Sequence, residues 1–383
     1  MNEQINDVIR VAQVIGITGC GGVESVVMNY YKNIDRTKVQ FDFLVESTSK
    51  IIDKEMIESM GGRVKIIPPY SNPFHYMKSL KKLFKQEQYD IVHSNMNTLS
   101  VFTLRAAKKA GIKVRIAHSH SHPVPNKKEW KRTILKNLLT PFSKRYATHF
   151  FACSEAAARG LFGNKLVDKG DVAIINNAID INRFKFDNLI RKKIRNEYRL
   201  TDKFVVGHIG RFAFAKNHDF LVDIFYEIQL INENSMLLLV GDGPLRESII
   251  QKINKLSLKD KVLFIDTTST PEYFYQCMDC FLLPSLYEGL PVVGVEAQVN
   301  GLKCYFSDVI TKEVKISDNI TFLSIKQNAS KWAKIITDDF STSKTVRREF
   351  LETEKFDIAY QSKKLVSLYQ NMVVQRNNMP SID

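Results

Sequence analysis

At 383 residues the chain exceeds what one hydrophobic core usually serves, so two domains are expected. Lys and Arg number 55 against 41 Asp and Glu, a net charge of +14, which favours an anionic partner: nucleic acid, acidic lipid or a phosphorylated substrate. No apolar stretch approaches the roughly 18 residues of a membrane span, so any membrane role is peripheral.

The start, Met1 to Asp7, is polar and lacks a basic n-region, so no signal peptide is expected. From there short β-branched runs alternate with helix-period segments. Val8 to Ile17, Val39 to Val45, Val64 to Ile67, Ile91 to His93, Val114 to Ala117 and Thr148 to Cys153 read as strands. Val23 to Asn33, Phe74 to Gln86 and Leu99 to Ala110 read as helices between them. Such alternation predicts right-handed βαβ units and a parallel sheet. A polar, charged stretch from Asn182 to Asp202 separates this half from a second set of strands. These are Phe204 to Ile209, Leu237 to Val240, Val262 to Ile265, Phe281 to Leu283 and Lys303 to Phe306, and a helical tail runs from Asp357 to Gln375. The class is α/β, with two doubly wound halves, and ligands are expected beyond the carboxyl strand ends, in a crevice between the halves.

The loops at those strand ends carry the chemistry. Gly21 and Gly22, directly after the first strand, let backbone approach a phosphate without a Cβ, or make a tight turn. The third glycine of the dinucleotide fingerprint is absent. His118, His120 and His122 alternate at a later strand end; no cysteine or carboxylate nearby completes a metal set, so no metal is expected there. Residues 126–145 combine cations with Trp130, Ile134 and Leu138 at helical spacing, a pattern that suits an anionic membrane surface as well as a helix packed on its own domain.

In the second half, Gly210-Arg211 is followed by Lys216, and both cations could converge on a diphosphate. Gly241-Asp242-Gly243-Pro244 makes a third strand-to-helix turn, bordering a nucleotide or purely structural, with Pro244 at the expected helix start. Cys277 and Cys280 have C-x-x-C spacing without further ligands, and five scattered cysteines in all suggest a reducing cytoplasm. Pro284 to Glu296 is the most specific stretch: Glu288 lies in a strand-to-helix loop, Pro291 is expected at the first helical position, and Glu296 lies more than a turn beyond it. The N–H groups near Gly289, Leu290 and Val292 could hold phosphate oxygens while the two carboxylates accept hydrogen bonds from sugar hydroxyls. No Asp-x-Asp occurs, so the acid pair that would hold a metal on a diphosphate is missing and no cofactor is expected.

In this order the motifs resemble those of the GT-B retaining glycosyltransferases of family 4, in the capsular and exopolysaccharide branch, most strongly from Gly207 to Asp308. The resemblance implies two Rossmann-like domains facing a cleft: an acceptor-binding domain over 1–185, a nucleotide-sugar-binding domain over 186–356, and a helix over 357–383 returning toward the first. It implies that Arg211 and Lys216 contact the donor diphosphate, Glu288 the donor sugar and Glu296 the ribose. His120, or else His118, would face the sugar. Gly21, Gly22, Gly243, Gly289, Leu290, Pro291 and Val292 would line the donor. The implied activity is metal-independent hexosyl transfer, with a UDP-linked donor the leading choice, to a glycan or polyprenyl-diphosphate-linked acceptor at the cytoplasmic membrane face. Two features depart from the family: Ala178 stands where the family often has the glycine of an Asn-Gly, so a left-handed turn there would be strained, and Asp266 stands where a glycine often follows a strand. A sugar-nucleotide epimerase of the same architecture and a non-enzymatic polyanion binder are the rivals. Nothing resembles a nucleic-acid-reading element.

Overall fold

The computed structural model of the protein describes residues 8–16, 22–49, 53–120, 139–142, 144–342 and 354–377. It divides into two compact units, one holding the chain up to Ala178 and again from Glu354, the other running from Ile179 to Thr353. The crossing at 178/179 precedes the expected 185/186.

The first unit is built on a seven-stranded sheet: β1 (Ile9–Gly16), β2 (Val39–Glu46), β3 (Arg63–Ile67), β4 (Ile91–Ser94), β5 (Val114–Ser119), β6 (His149–Ala152) and β7 (Val172–Ile174). The spatial order is β3-β2-β1-β4-β5-β6-β7 and every pairing is parallel. All eight residues of β2 are buried, as a strand covered by helices on both faces must be. Asp42 lies in that strand with no exposure, and is tolerated because Arg10 (2.6 Å), Arg63 and the Tyr89 hydroxyl (2.9 Å) satisfy it. The helix Pro73–Glu87 begins where Asn72 accepts the His75 N–H and Pro73 presets the first turn. Its Tyr76, Leu80 and Phe84, four residues apart, fill one core with Leu44, Ile67 and Leu104, each worth about 1.5–3 kcal/mol of burial. The helix Ile358–Asn377 belongs to this unit; it buries Leu365, Val366, Tyr369, Met372 and Val373 and packs against the helix Gly22–Asn33.

The second unit holds β8 (Phe204–Ile209), β9 (Ser235–Val240), β10 (Val262–Ile265), β11 (Cys280–Leu283), β12 (Lys303–Ser307) and β13 (Ile320–Leu323), parallel in the order β10-β9-β8-β11-β12-β13. Its core joins Phe212, Phe225 and Trp332 to Leu237 and Leu282. In both sheets the strand order reverses once, between β1 and β4 and between β8 and β11. Those reversals are where loops diverge and open a crevice at the carboxyl ends.

Several expectations need correction. The stretch Asn182 to Asp202 is no bare linker: it holds the helices Ile181–Phe184 and Asn188–Glu197, capped by Asp180 and Asp187. Arg191 and Arg195 of the second helix reach Asp279 at 2.5 and 3.1 Å, and Asp279 also accepts the Val205 N–H at 2.8 Å. Pro291 caps the helix Val292–Val299 instead of starting it, and Pro244 precedes the helix Arg246–Lys255 by two residues. Ala178 is absent from the left-handed residues, so the chain turns there without the expected strain. Cys153, Cys277, Cys280 and Cys304 are buried thiols outside any disulfide.

Asp279→Ala leaves Arg195 buried without its charge partner. We expect it to destabilise the second unit by about 3 kcal/mol, read as a lower urea midpoint from Trp332 fluorescence in a Trp130→Phe background.

Candidate active site

The loops after β8 and β11, which border the reversal in the second sheet, lie against each other. Leu286 N–H donates to Ala215 O at 2.8 Å, and Asn217 Nδ2 to Pro284 O at 3.1 Å. Asn217 adopts a left-handed conformation (φ 55°), which asparagine tolerates, and so turns the loop into the helix His218–Ile231. Lys216 Nζ reaches Glu288 Oε1 at 2.7 Å, with side-chain exposures of only 17% and 14%. Ser285 Oγ donates to the same carboxylate oxygen at 2.7 Å, and Ser307 Oγ fixes Ser285 through its carbonyl at 2.6 Å. The structure thus brings two of the residues singled out by sequence, Lys216 and Glu288, into direct contact. Arg211 is exposed on the same loop.

The Gly241-Asp242-Gly243 turn lies on this loop from behind. A Cβ at Gly241 would stand 2.3 Å from Gly210 O, and one at Gly243 would stand 2.6 Å from Phe212 O. Phe212 N–H donates to Asp242 O, and Leu245 N–H to Phe212 O, both at 3.0 Å. Gly243 therefore permits a close approach of two backbones. Phe212 stacks on His218, with centroids 4.1 Å apart.

Gly289, Leu290 and Pro291 lead into the helix Val292–Val299, where Pro291 O accepts the Gly294 and Val295 N–H groups at 3.0 and 3.3 Å, so that of the first turn the Val292 and Val293 N–H groups have no acceptor within the helix. Inside it Glu296 is buried, and its Oε2 accepts the Tyr275 hydroxyl at 2.7 Å. Burial pushes the Glu296 carboxyl up to about 7, against the lowering pull of the Tyr275 hydrogen bond and of the Arg183 and Lys216 charges; Glu272 adds to the rise. Arg183 is held by Glu272 at 2.7 Å. Asp266, at the end of β10, pairs with Arg246 at 2.7 Å.

In the first unit, His118 is next to last in β5 and His120 directly follows the strand. Their ring centroids lie 3.9 Å apart with the planes tilted by 32°, and both are buried. His120 Nε2 lies 2.8 Å from Asn95 Oδ1, its N–H donates to Asn97 Oδ1 at 2.8 Å, and His118 Nδ1 lies 2.9 Å from His93 Nε2. Burial depresses all three imidazoles, His93 and His120 to about 3. A side chain at Gly22 would meet nothing within 4 Å. Gly21, His122 and most of the basic segment 126–145 lie outside the described residues. Among the described residues, no group of three or more His, Cys, Asp or Glu is placed to hold a metal.

Two families match the two halves of the chain: Glycosyltransferase Family 4 over residues 20–183 and Glycosyl transferases group 1 over residues 190–349. Among solved structures, HepE of Anabaena in complex with UDP and glucose superposes with a TM-score of 0.73 at 18% identity, covering 97% of this chain and 100% of that one. EpsF of Bacillus subtilis, which bears the name of a glycosyltransferase, is 32% identical over 368 residues, covering 95% of this chain and 96% of EpsF. This chain belongs to the GT-B glycosyltransferases. A further relative is the UDP-Gal:alpha-D-GlcNAc-diphosphoundecaprenol alpha-1,3-galactosyltransferase of Escherichia coli, 23% identical over 390 residues, with 96% of this chain and 98% of that protein covered. The epimerase and polyanion-binder readings give way to the glycosyltransferase.

Sequence reasoning missed the residues that support this glycosyltransferase's site. Ser285 stands within the Pro-Ser motif, so its spacing of three from Glu288 was a usable signal. Tyr275 and Arg183 in the second unit, and His93 and Tyr369 in the first, carried none, because only the fold of each unit brings them toward Glu296 and toward His118.

Glu296 also makes a stability prediction. Its folded-state pKa lies above the ordinary 4.5, so the folded protein holds this proton more tightly than the unfolded chain, and stability falls as pH rises from about 4.5 through 7. Glu296→Gln should remove this fall, on the order of 3 kcal/mol across the window, so that melting curves between pH 5 and 8 diverge from wild type.

Proposed function

We propose that this glycosyltransferase moves a hexose from a UDP-linked donor to a surface-polysaccharide intermediate carried on a lipid diphosphate, with retention of configuration and without a metal. The observation that carries the donor assignment is the Lys216–Glu288 contact at the strand-order reversal of the second sheet. An ammonium and an exposed guanidinium on one loop suit the negative charge that grows on a departing diphosphate. Once phosphate oxygens take Lys216, Glu288 is left to accept a hydroxyl of the donor sugar. Glu296, one helix turn further in, suits the ribose hydroxyls, and the helix start over Gly289 to Val292 suits phosphate oxygens.

UDP is supported by the nucleotide bound to HepE and by the name of the Escherichia coli relative, which also supports a lipid diphosphate as carrier. The net charge of +14 favours an anionic acceptor and an anionic membrane surface, and segment 126–145 is the proposed contact, at the cytoplasmic face. Among the described residues no helix is long and apolar enough to cross a membrane. The sequence has no Asp-x-Asp, so Arg211, Lys216 and the helix start take the diphosphate in the proposed reaction. Both placed acids have other work in the proposed complex, Glu288 with Ser285 and a sugar hydroxyl and Glu296 with Tyr275, which favours same-face displacement over a covalent glycosyl intermediate.

Lys216→Ala, Arg211→Ala and Glu288→Ala should each lower kcat for UDP release with a lipid-linked acceptor by about 100-fold, while the protein stays folded. Normal turnover in all three sinks the site assignment. With wild type, the product's anomeric proton coupling should match the donor's, and excess EDTA should leave the rate unchanged. Loss of activity in EDTA, restored by Mg²⁺ or Mn²⁺, overturns the metal-independent reading.

A further inference from the structure

A continuous set of hydrogen bonds in the first unit joins three strands to the carboxy-terminal helix. Asn95 Nδ2 donates to Gln13 Oε1 at 2.9 Å, and Gln13 Nε2 donates to the Tyr369 hydroxyl at 3.0 Å. The Tyr369 oxygen lies 2.7 Å from His93 Nδ1, and His93 Nε2 lies 2.9 Å from His118 Nδ1. A branch runs from Asn95 Oδ1 to His120 Nε2 at 2.8 Å.

The protons in this set have only one arrangement that leaves no inner hydroxyl unsatisfied. An amide oxygen can only accept, so His120 carries its proton on Nε2 and keeps a lone pair on Nδ1. Tyr369 is fully buried and its oxygen already accepts from Gln13, so its own proton goes to His93 Nδ1. A neutral His93 then carries its proton on Nε2 and donates it to His118 Nδ1, which places the His118 proton on Nε2. All three rings are neutral near pH 7, because burial depresses them.

What remains is one donor and one acceptor. Among the described residues, His118 Nε2 and His120 Nδ1 are buried atoms without a hydrogen-bond partner, on tilted rings whose centroids lie 3.9 Å apart. Each such atom costs about 1–3 kcal/mol while unsatisfied, a cost that a bound ligand can relieve. A hydroxyl both gives and takes a hydrogen bond, so it is the group that suits the pair.

We propose that Tyr369 is a positioning residue: acting through His93, its hydroxyl fixes the tautomer of His118, so that the His118 and His120 edges present a donor and an acceptor to one substrate hydroxyl. The identity of that hydroxyl as a sugar's rests on the proposed function; the relay itself does not. Its consequence is that the last helix of the chain, through one phenol, sets the hydrogen-bonding face at the end of β5.

The test compares wild type with Tyr369→Phe, which keeps the ring that packs against Phe41 and Phe151 and removes only the hydroxyl. With ¹⁵N-labelled histidine, long-range ¹H–¹⁵N spectra of the free enzyme should show wild-type His118 as the pure Nε2–H tautomer, its signal assigned by its loss in His118→Asn. In Tyr369→Phe, His93 and His118 should become mixtures of both tautomers. The kcat for transfer should fall about 10-fold, with donor KM changed less than about twofold. His93→Gln cuts the relay one step nearer to His118; it carries the same expectation for His118 and serves where the Phe variant does not fold. A single unchanged His118 tautomer in the variants overturns the proposal, and so do mixed tautomers with an unchanged kcat. Because the spectra are taken without substrate, they separate failure of the relay from failure of the donor assignment.

Discussion

Neither Lys216 nor Glu288 could be held as far from solvent as they are without the other. A charge withdrawn from water costs several kcal/mol unless it is paired and hydrogen-bonded, and here the pair lies at 2.7 Å with Ser285 completing the carboxylate's contacts. The two residues are 72 apart in the chain, and only the adjacency of β8 and β11 brings them together. The rest of the second unit's site follows from that constraint, because the same adjacency sets the loop-to-loop bonds from Leu286 to Ala215 and from Asn217 to Pro284. In the proposed reaction a diphosphate exchanges one anionic partner of Lys216 for another, so the ammonium need not be desolvated again when the donor binds. Pre-organisation of this kind lowers the cost of binding.

The glycines of the second unit serve the same end by another route. Gly241 and Gly243 let their turn rest on the backbone of Gly210 and Phe212, closer than any side chain would allow. Gly210 N–H and Phe212 N–H donate to Val240 O and Asp242 O, both at 3.0 Å, on either side of Arg211. The exposed guanidinium therefore starts from a backbone pinned at both neighbours. A long side chain loses much of its freedom on binding, and a fixed root reduces what remains to be ordered.

Most strands were legible because a parallel strand buried on both faces is mostly a run of apolar residues, as β9 and β11 are. Val172–Ile174 and Ile320–Leu323 were not: the first has three residues, and Thr321 interrupts the apolar run of the second. The charged stretch from Asn182 to Asp202 misled for a related reason: Arg195 is buried, yet its partner Asp279 lies 84 residues away, and composition cannot show a pairing. Lys216 and Glu288, which the structure pairs, stood out as candidates because strand-to-helix loops carry them, and Glu296 because it follows the same helix start. The histidine network was only partly so. His118 and His120 alternate visibly, but Gln13, His93 and Tyr369 come from two other strands and from the chain's last helix.

The two units differ in how they treat charge, and this bears on the route of the reaction. The second unit gathers an ammonium, a guanidinium and two carboxylates around its strand-order reversal. The first offers imidazoles whose pKa values burial has driven down, two of them to about 3. A base that weak does not remove a proton from a hydroxyl near neutral pH, since effective catalytic bases have pKa values near the working pH. The histidines thus suit hydrogen bonding and orientation rather than proton abstraction. In the proposed transfer the acceptor's proton must leave by another path, and the departing diphosphate, on the same face as the incoming hydroxyl, has the basic oxygen to take it. The neutrality of the first unit's histidines and the cations of the second thereby favour the same conclusion: the leaving group itself acts as the base, and the protein's work is to hold its charge.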